Sequence, residues 1–493
     1  MNKDLNVGKY DEIIYLIDED GLAEPLMLSL EVSGEPPYWA DGVDRSLRQY
    51  SMNITARVVL NDEIATDADD IVGVFDDKGV CHGVSNISYN EETGESFAYI
   101  TVYDNVVSGS NLSFRLWNHS IGKEQVLIAY DAETQAETNI TFLSSRVVGS
   151  PTKPLILKGG DIYLQTIKLY EGWNWMSINV LPDYVKTYGS LLNRMPMSDG
   201  DMVTDNQSGA VHVYNSNKWI TSGMTSDMMV NHKTTYFVKV QKDAEIQVYG
   251  TIIKNEGDRT IPLVHGWNTI GYTPMLNLTV ETALADYNNK AQDGDIIKSH
   301  DEYAVFTVTN GVGRWKCSLK YMKPGEGYML RRQADIPATF VYPFYEPNST
   351  FMDNVTDRSV HFAPQRSTMS LTATVNGVET QDGDKLISYA GAENRGQVTA
   401  NEEGIFYLSV AGDQDTPLWF AIERDGEIIA TTPEIMKYSP NAVVGKPDSP
   451  TAIDFVTIDA LGEGWYTLSG VKLNGKPAQN GVYIHDGKKE VVK

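Results

Sequence analysis

The sequence predicts a mainly β fold: a multi-domain string of β-sandwich-like modules, with two β-rich modules among them that each carry one short helix. Three observations support this. Gly172-Trp173-Asn174 returns as Gly266-Trp267-Asn268, and Asp199-Gly200-Asp201 returns as Asp293-Gly294-Asp295, both at an offset of 94. Met52, Thr55, Ala56 and Val58 match Met369, Thr372, Ala373 and Val375 at an offset of 317. Between these landmarks run short segments of alternating apolar and polar residues, closed by Asp-, Asn- and Gly-rich turns. Internal repeats of this kind define architecture before any single residue does.

The first 49 residues hold the apolar run Ile13 to Ile17, then the stretch Glu35-Pro36-Pro37-Tyr38-Trp39. They read as an edge strand and an approach segment. From residue 50 to 159 the alternation Met52, Ile54, Ala56, Val58 gives one face of a strand. Asp67-Ala68-Asp69-Asp70 is a turn, Ile71 to Phe75 a buried strand, and Asp76-Asp77-Lys78-Gly79 a hairpin turn. This is a β-sandwich module, and residues 359–437 are its diverged copy.

Residues 160–253 and 254–345 form the two Gly-Trp-Asn modules. Each opens on a strand. Val185, Tyr188, Leu191, Leu192 and Met195 then follow helical spacing, as do Val280, Ala283, Leu284 and Tyr287. Strands follow around Trp219 and its counterpart Trp315, and around Tyr236 and Tyr328. The Pro-containing stretches Ser150 to Pro154, Glu346 to Arg358 and Tyr438 to Thr451 read as linkers.

Residues 452–493 form a separate unit. Five acidic residues and five lysines between Asp454 and Lys493 make it near neutral, whereas the whole chain carries a formal charge of -26. Its segments are Trp465-Tyr466-Thr467-Leu468-Ser469-Gly470, Gly481-Val482-Tyr483-Ile484 and a Lys-rich end, with Asp486-Gly487 as a hairpin turn. On these segments the tail resembles the C-terminal sorting domain of Bacteroidetes type IX secretion cargo. The resemblance covers about the last 40 residues. It implies an exported chain that engages the type IX secretion machinery through residues 452–493, with a signal peptide on a longer native precursor. The upstream modules look like the repeats of large surface proteins of that phylum.

The totals narrow the function. An acidic chain with no basic cluster is a poor partner for nucleic acid or anionic lipid. No apolar run reaches the roughly 18 residues of a membrane-spanning helix. The two cysteines, Cys81 and Cys317, fall in different modules, so a disulfide between them is not expected. Cys81 reads as a small buried hydrophobe rather than a nucleophile. The eight histidines show no metal-binding spacing, and no nucleophile elbow, P-loop or dinucleotide fingerprint is present. No catalytic residue is assigned, and the chain is not expected to be an enzyme.

Two sets of residues are candidates for binding. The Asp-x-Asp turns, Asp67/Asp69, Asp199/Asp201, Asp293/Asp295 and Asp382/Asp384, could hold Ca²⁺ through paired carboxylates. The plainer reading is a turn capped by Asp and opened by Gly. Among aromatics, Trp175 is the leading candidate for a surface contact because the second module replaces it by Thr269, with Trp39 and Trp117 behind it. Trp173 and Trp267, kept in both copies, read as core.

The function expected is that of a non-catalytic bacterial surface protein, or the C-terminal part of one, outside the cell. Its work would be adhesion, recognition or display, with a surface glycan or another protein as ligand. One alternative is a set of carbohydrate-binding accessory modules on an exported hydrolase. Another is a passive structural stalk.

Overall fold

The computed structural model describes residues 36–43, 48–182, 185–205, 209–222, 229–345, 367–401, 403–479, 481–486 and 488–492, and residues 8–17, 23–32 and 351–354 by their backbone. Two compact units emerge: residues 1–165 with 249–252 and 345–353, and residues 166–248, 253–344 and 354–493. The fold is β-rich throughout, with few and short helices.

In the first unit Gly8–Ile17 and Ala23–Val32 pair as an antiparallel ribbon. The rest is a two-layered β structure. One layer contains Tyr50–Leu60 between Glu95–Asp104 and the parallel strand Leu155–Gly159; the other contains Ile71–Phe75 between Cys81–Asn90 and Ser108–Asn118. Two strands join the layers. Cys81–Asn90 pairs with Ile71–Phe75 through its first half and with Glu95–Asp104 through its second. Lys123–Tyr130 does the same between Ser108–Asn118 and Leu155–Gly159. Strands that change layer at a corner leave fewer open edges. The face predicted from alternation is the core: Met52, Ile54, Ala56 and Val58 are each at most 1% exposed and pack against Val72, Val74, Ile100 and Leu116.

In the second unit the two Gly-Trp-Asn modules repeat in detail. Gly172–Met176, Tyr236–Val240, Met202–Asp205, Ala210–Asn215 and Lys218–Ser222 form a five-stranded sheet in that order. Gly266–Ile270, Tyr328–Arg332, Ile296–Lys298, Tyr303–Thr309 and Val312–Cys317 form a second sheet of the same order. Tyr214 faces Trp219 across one hairpin, and Phe306 faces Trp315 across the other. The predicted helical faces are buried, but each helix is brief: Tyr188–Leu192 in one copy, Val280–Ala283 and Ala285–Asn288 in the other. Thr187 caps Tyr188–Leu192 and Thr279 caps Val280–Ala283, each by accepting a backbone N–H three residues on.

The two copies also face each other symmetrically. The N–H of Ser177 donates to the carbonyl of Gly325 at 2.9 Å, and the N–H of Gly271, which occupies the same place in its own copy, donates to Lys233 at 2.8 Å. Such reciprocal contacts are those of an isologous interface between like subunits, here made within one chain. Thr235 sits on this seam, and its hydroxyl donates to the carbonyl of Ile270 at 2.8 Å.

The late sandwich repeats the early one. Thr368–Asn376 corresponds to Tyr50–Leu60, and in both copies two later segments add in parallel: Val147–Val148 and Leu155–Gly159 early, Val443–Val444 and Thr451–Asp454 late. A glycine at positive φ turns between them each time, Gly149 at 72° and Gly445 at 75°. The stretch from Tyr438 to Thr451, expected to be an exposed linker, therefore belongs to the sandwich. Tyr438 is fully buried in its core. The prolines misled because Pro440, Pro447 and Pro450 flank the ladder positions instead of occupying them.

The tail makes a three-stranded sheet of Trp465–Tyr466, Gly481–His485 and Lys488–Val492. Within the segment Trp465 to Gly470 the strand is two residues long, because Thr467 to Gly470 fold into a tight turn with Gly470 at φ 77°. Ile458, Tyr466 and Ile484 form its small core.

Candidate functional site

The Gly-Trp-Asn motif is a locked turn. The side-chain amide of Asn174 donates to the carbonyls of Tyr170 (2.7 Å) and Gly172 (3.2 Å), and its oxygen accepts the N–H of Tyr170 (2.9 Å). Asn268 makes the same set with Val264 and Gly266 at 2.8 to 2.9 Å. Gly172 and Gly266 sit at φ 93° and 82°, where a side chain would be strained. The motif recurs because the turn needs both residues.

The tryptophans are placed against expectation. Trp175 is 3% exposed, packed edge-on to Phe237 and His300 and against Met329. Trp173 and Trp267, read as core, are only partly buried. The unmatched Trp175 faces an unmatched partner. Lys298 is fully buried, and its Nζ lies 5.5 Å from the Trp175 ring centroid and 4.6 Å from that of Trp267. The same nitrogen donates to the carbonyl of Thr368 and the side-chain oxygen of Asn441, both at 2.9 Å. Burial pushes its pKa down to about 7. Two aromatic faces and three acceptors, the third being the Thr368 hydroxyl at 3.3 Å, substitute for a counter-ion at this ammonium. The sequence signal that could have found Lys298 is its place in the strand Ile296–Lys298, three residues after the repeated Asp-Gly-Asp turn.

Trp39 and Trp117 are each 3% exposed and share a cluster with Phe75. The indole N–H of Trp39 donates to Glu124 at 3.2 Å. With all three candidate tryptophans inside, none offers an open ring face to solvent.

The Asp-x-Asp turns divide into two kinds. Asp201 and Asp295 are buried, and their carboxylates accept backbone N–H groups: Ser198 and Gln241 for the first, Gln292 and Gln333 for the second, at 2.7 to 2.9 Å. Asp295 also accepts the hydroxyl of Tyr287 at 2.6 Å. Asp199 and Asp293 each accept one backbone N–H, from Ser216 and Val308. Asp384 accepts the N–H of Gln381 and pairs with Arg424, while Asp382 is exposed. These carboxylates build turns. Asp67 and Asp69 differ. With His119 they bring three ligand atoms within 4.8 Å of one another, the one such group among the described residues. Sequence reasoning missed His119 because it arrives from a turn 52 residues away. The backbone N–H of Asp69 and the imidazole of His119 help hold the Asp67 carboxyl below its usual pKa range.

Both cysteines are free and half-buried, and burial pushes their pKa values up, that of Cys317 to about 11. Neither is primed as a nucleophile. No helix of the described residues is long and apolar enough to cross a membrane.

No protein-family model matches the chain, and no curated protein matches it either. Among solved structures it has faint similarity to the TIE protein of Bacillus anthracis, at 10% identity and a TM-score of 0.13 over 92% of this chain and 75% of that one. BcpA, the major pilin subunit of Bacillus cereus, gives 9% identity and a TM-score of 0.14 over 82% and 99%. The T6 backbone pilin of serotype M6 Streptococcus pyogenes gives 8% and 0.11 over 90% and 94%. Similarity at this level carries no argument about function.

Proposed function

We propose that the chain is a non-catalytic, exported bacterial surface protein that serves display, adhesion or recognition, with a surface glycan or another protein as its ligand. One observation supports this most. In both copies of the Gly-Trp-Asn module the polar motif residues are consumed by structure: Asn174 and Asn268 lock turns, and Asp201 and Asp295 bind backbone N–H groups. The duplicated chemistry builds a scaffold, which is what a displayed protein needs. The resemblance of residues 452–493 to a type IX sorting domain supplies the export route in this reading.

Asp67, Asp69 and His119 are the residues to which we assign any divalent cation, calcium included. Surface labelling of intact cells with an antibody, beside a strain whose chain lacks residues 465–493, tests the central reading. The protein should label at the surface in the first strain and be retained inside in the second. Intracellular protein in both strains would overturn it.

A further inference from the structure

The second unit contains a cleft of about 650 Å³ that the scaffold does not use. One wall comes from the second Gly-Trp-Asn module, with Glu302, Lys320, Tyr321 and Lys323; the other comes from the late sandwich, with Asn401 and Tyr407. An ion pair between Lys316 and Glu403 ties the two walls together. A volume of this size suits a small ligand.

Two polar side chains in the cleft keep hydrogen-bonding capacity. Tyr407 is 2% exposed, yet its hydroxyl has no hydrogen-bond partner among the described residues. An unpartnered buried hydroxyl is destabilising, and a bond from a ligand atom would relieve that cost. Asn401 spends its side-chain oxygen on the N–H groups of Glu403 and Ile405, so its amide N–H groups remain to donate. Tyr321, 43% exposed, offers an apolar ring at the mouth. Lys316 and Glu403 neutralise each other, and Lys320 and Lys323 bring two ammonium groups to the cleft beside the Glu302 carboxyl. Glu302 lies among charges of both signs. Burial and the nearby Glu326 and Asp301 carboxylates push its pKa up to about 7, against the pull of Lys323 and Lys320.

We infer that this cleft binds an acidic sugar: a hydroxyl-rich ring carrying a carboxylate, of mono- to disaccharide size, held without turnover. Donors, acceptors, a ring face and two ammonium groups together match hydroxyls and a carboxylate better than a bare anion. The inference deepens the recognition role proposed above and rests on it.

Calorimetric titration of the full chain with glucuronate, glucose and inorganic phosphate tests it. Glucuronate should bind, glucose at least about tenfold more weakly, and phosphate not measurably. Tyr407→Phe and Lys323→Met should each weaken glucuronate about tenfold, and Tyr407→Phe should leave the melting temperature unchanged or higher, since it deletes an unsatisfied hydroxyl. Glucuronate should also bind more tightly at pH 6 than at pH 8, where Glu302 is ionised, and Glu302→Gln should flatten that difference. No heat with glucuronate, equal binding of phosphate, or indifference to both substitutions would overturn the site. The cell-surface experiment is independent, so a silent titration leaves the surface reading standing, and an intracellular protein leaves the cleft measurable.

Discussion

The Nζ of Lys298 stands 2.9 Å from the side-chain oxygen of Asn441, which lies 143 residues further along the chain. This contact joins the second Gly-Trp-Asn module to the late sandwich inside the second unit. Around it, Tyr303 shares a hydrogen bond with Thr372 at 2.9 Å, and Ser409 donates to the carbonyl of His300 at 3.1 Å. The strand Thr368–Asn376 thus buries its polar face as well as its apolar one: Ser370 and Thr372 are each 1% exposed. An alternating strand normally leaves one face to water. Here the module next to it supplies hydrogen bonds to Thr368 and Thr372 in place of water, while the Ser370 hydroxyl is buried without a partner among the described residues.

Lys298 should therefore give a pH signature. Its folded pKa, about 7, is below the ordinary lysine value of 10.5, so the unfolded chain binds the proton more readily between those values. Stability should then rise with pH above about 7, with a slope approaching about 1.4 kcal/mol per pH unit. Urea unfolding at pH 7 and pH 8.5 measures it, with Lys298→Met as the reference that lacks the group. The stability of the natural chain should gain on that of the variant as pH rises. Parallel behaviour of the two proteins would mean that the ammonium is not the titrating group.

Asn174 and Asn268 should matter equally, because they make the same bonds in two copies. Replacing either by Ala strips three hydrogen bonds from a turn whose carbonyls face inward, and should cost about 2 kcal/mol or more. Trp175→Thr, which copies the residue of the second module, should cost about 3 kcal/mol through lost packing against Phe237 and Met329. Denaturant midpoints of the three variants test both statements, and a neutral Asn variant would show that the turn holds without its lock.

The divalent-cation assignment predicts a selective loss. Calcium and zinc titrations should find one class of weak site, abolished by Asp69→Asn and unchanged by Asp199→Asn or Asp382→Asn. The imidazole of His119 should favour zinc over calcium, since calcium prefers oxygen ligands. Titrations silent for both metals would leave Asp67 and Asp69 as turn residues like the others.

Much of this architecture was visible in the residues, and for identifiable reasons. Period-two patterning gave the face Met52, Ile54, Ala56, Val58, because one side of that strand meets a core. The repeats were visible because Gly172 and Gly266 need backbone freedom that other residues lack. What escaped depends on long-range assembly. The exposure of Trp175 could not be read from its strand, because Lys298 and Met329, which cover it, belong to the next module. His119 joins Asp67 only once the sandwich folds. The cleft at Tyr407 exists only where two modules meet.

The last prediction concerns Asp384, 1% exposed and held by Arg424 through two hydrogen bonds, Nε to Oδ1 at 2.8 Å and Nη2 to Oδ2 at 2.7 Å. The guanidinium holds the Asp384 carboxyl below its ordinary pKa of 3.8. A depressed carboxylate contributes stability that is present above the unfolded pKa and is lost as pH falls through the folded one. Arg424→Met leaves the carboxylate buried and unpaired, so it should destabilise the late sandwich at neutral pH. The difference from the natural chain should shrink as pH falls below about 4, because protonation removes the charge that Arg424 balances. Urea midpoints of both proteins at pH 7 and pH 3.5 decide the matter: a difference that stays constant between the two would assign the effect of the substitution to packing of the Arg424 side chain and not to the ion pair.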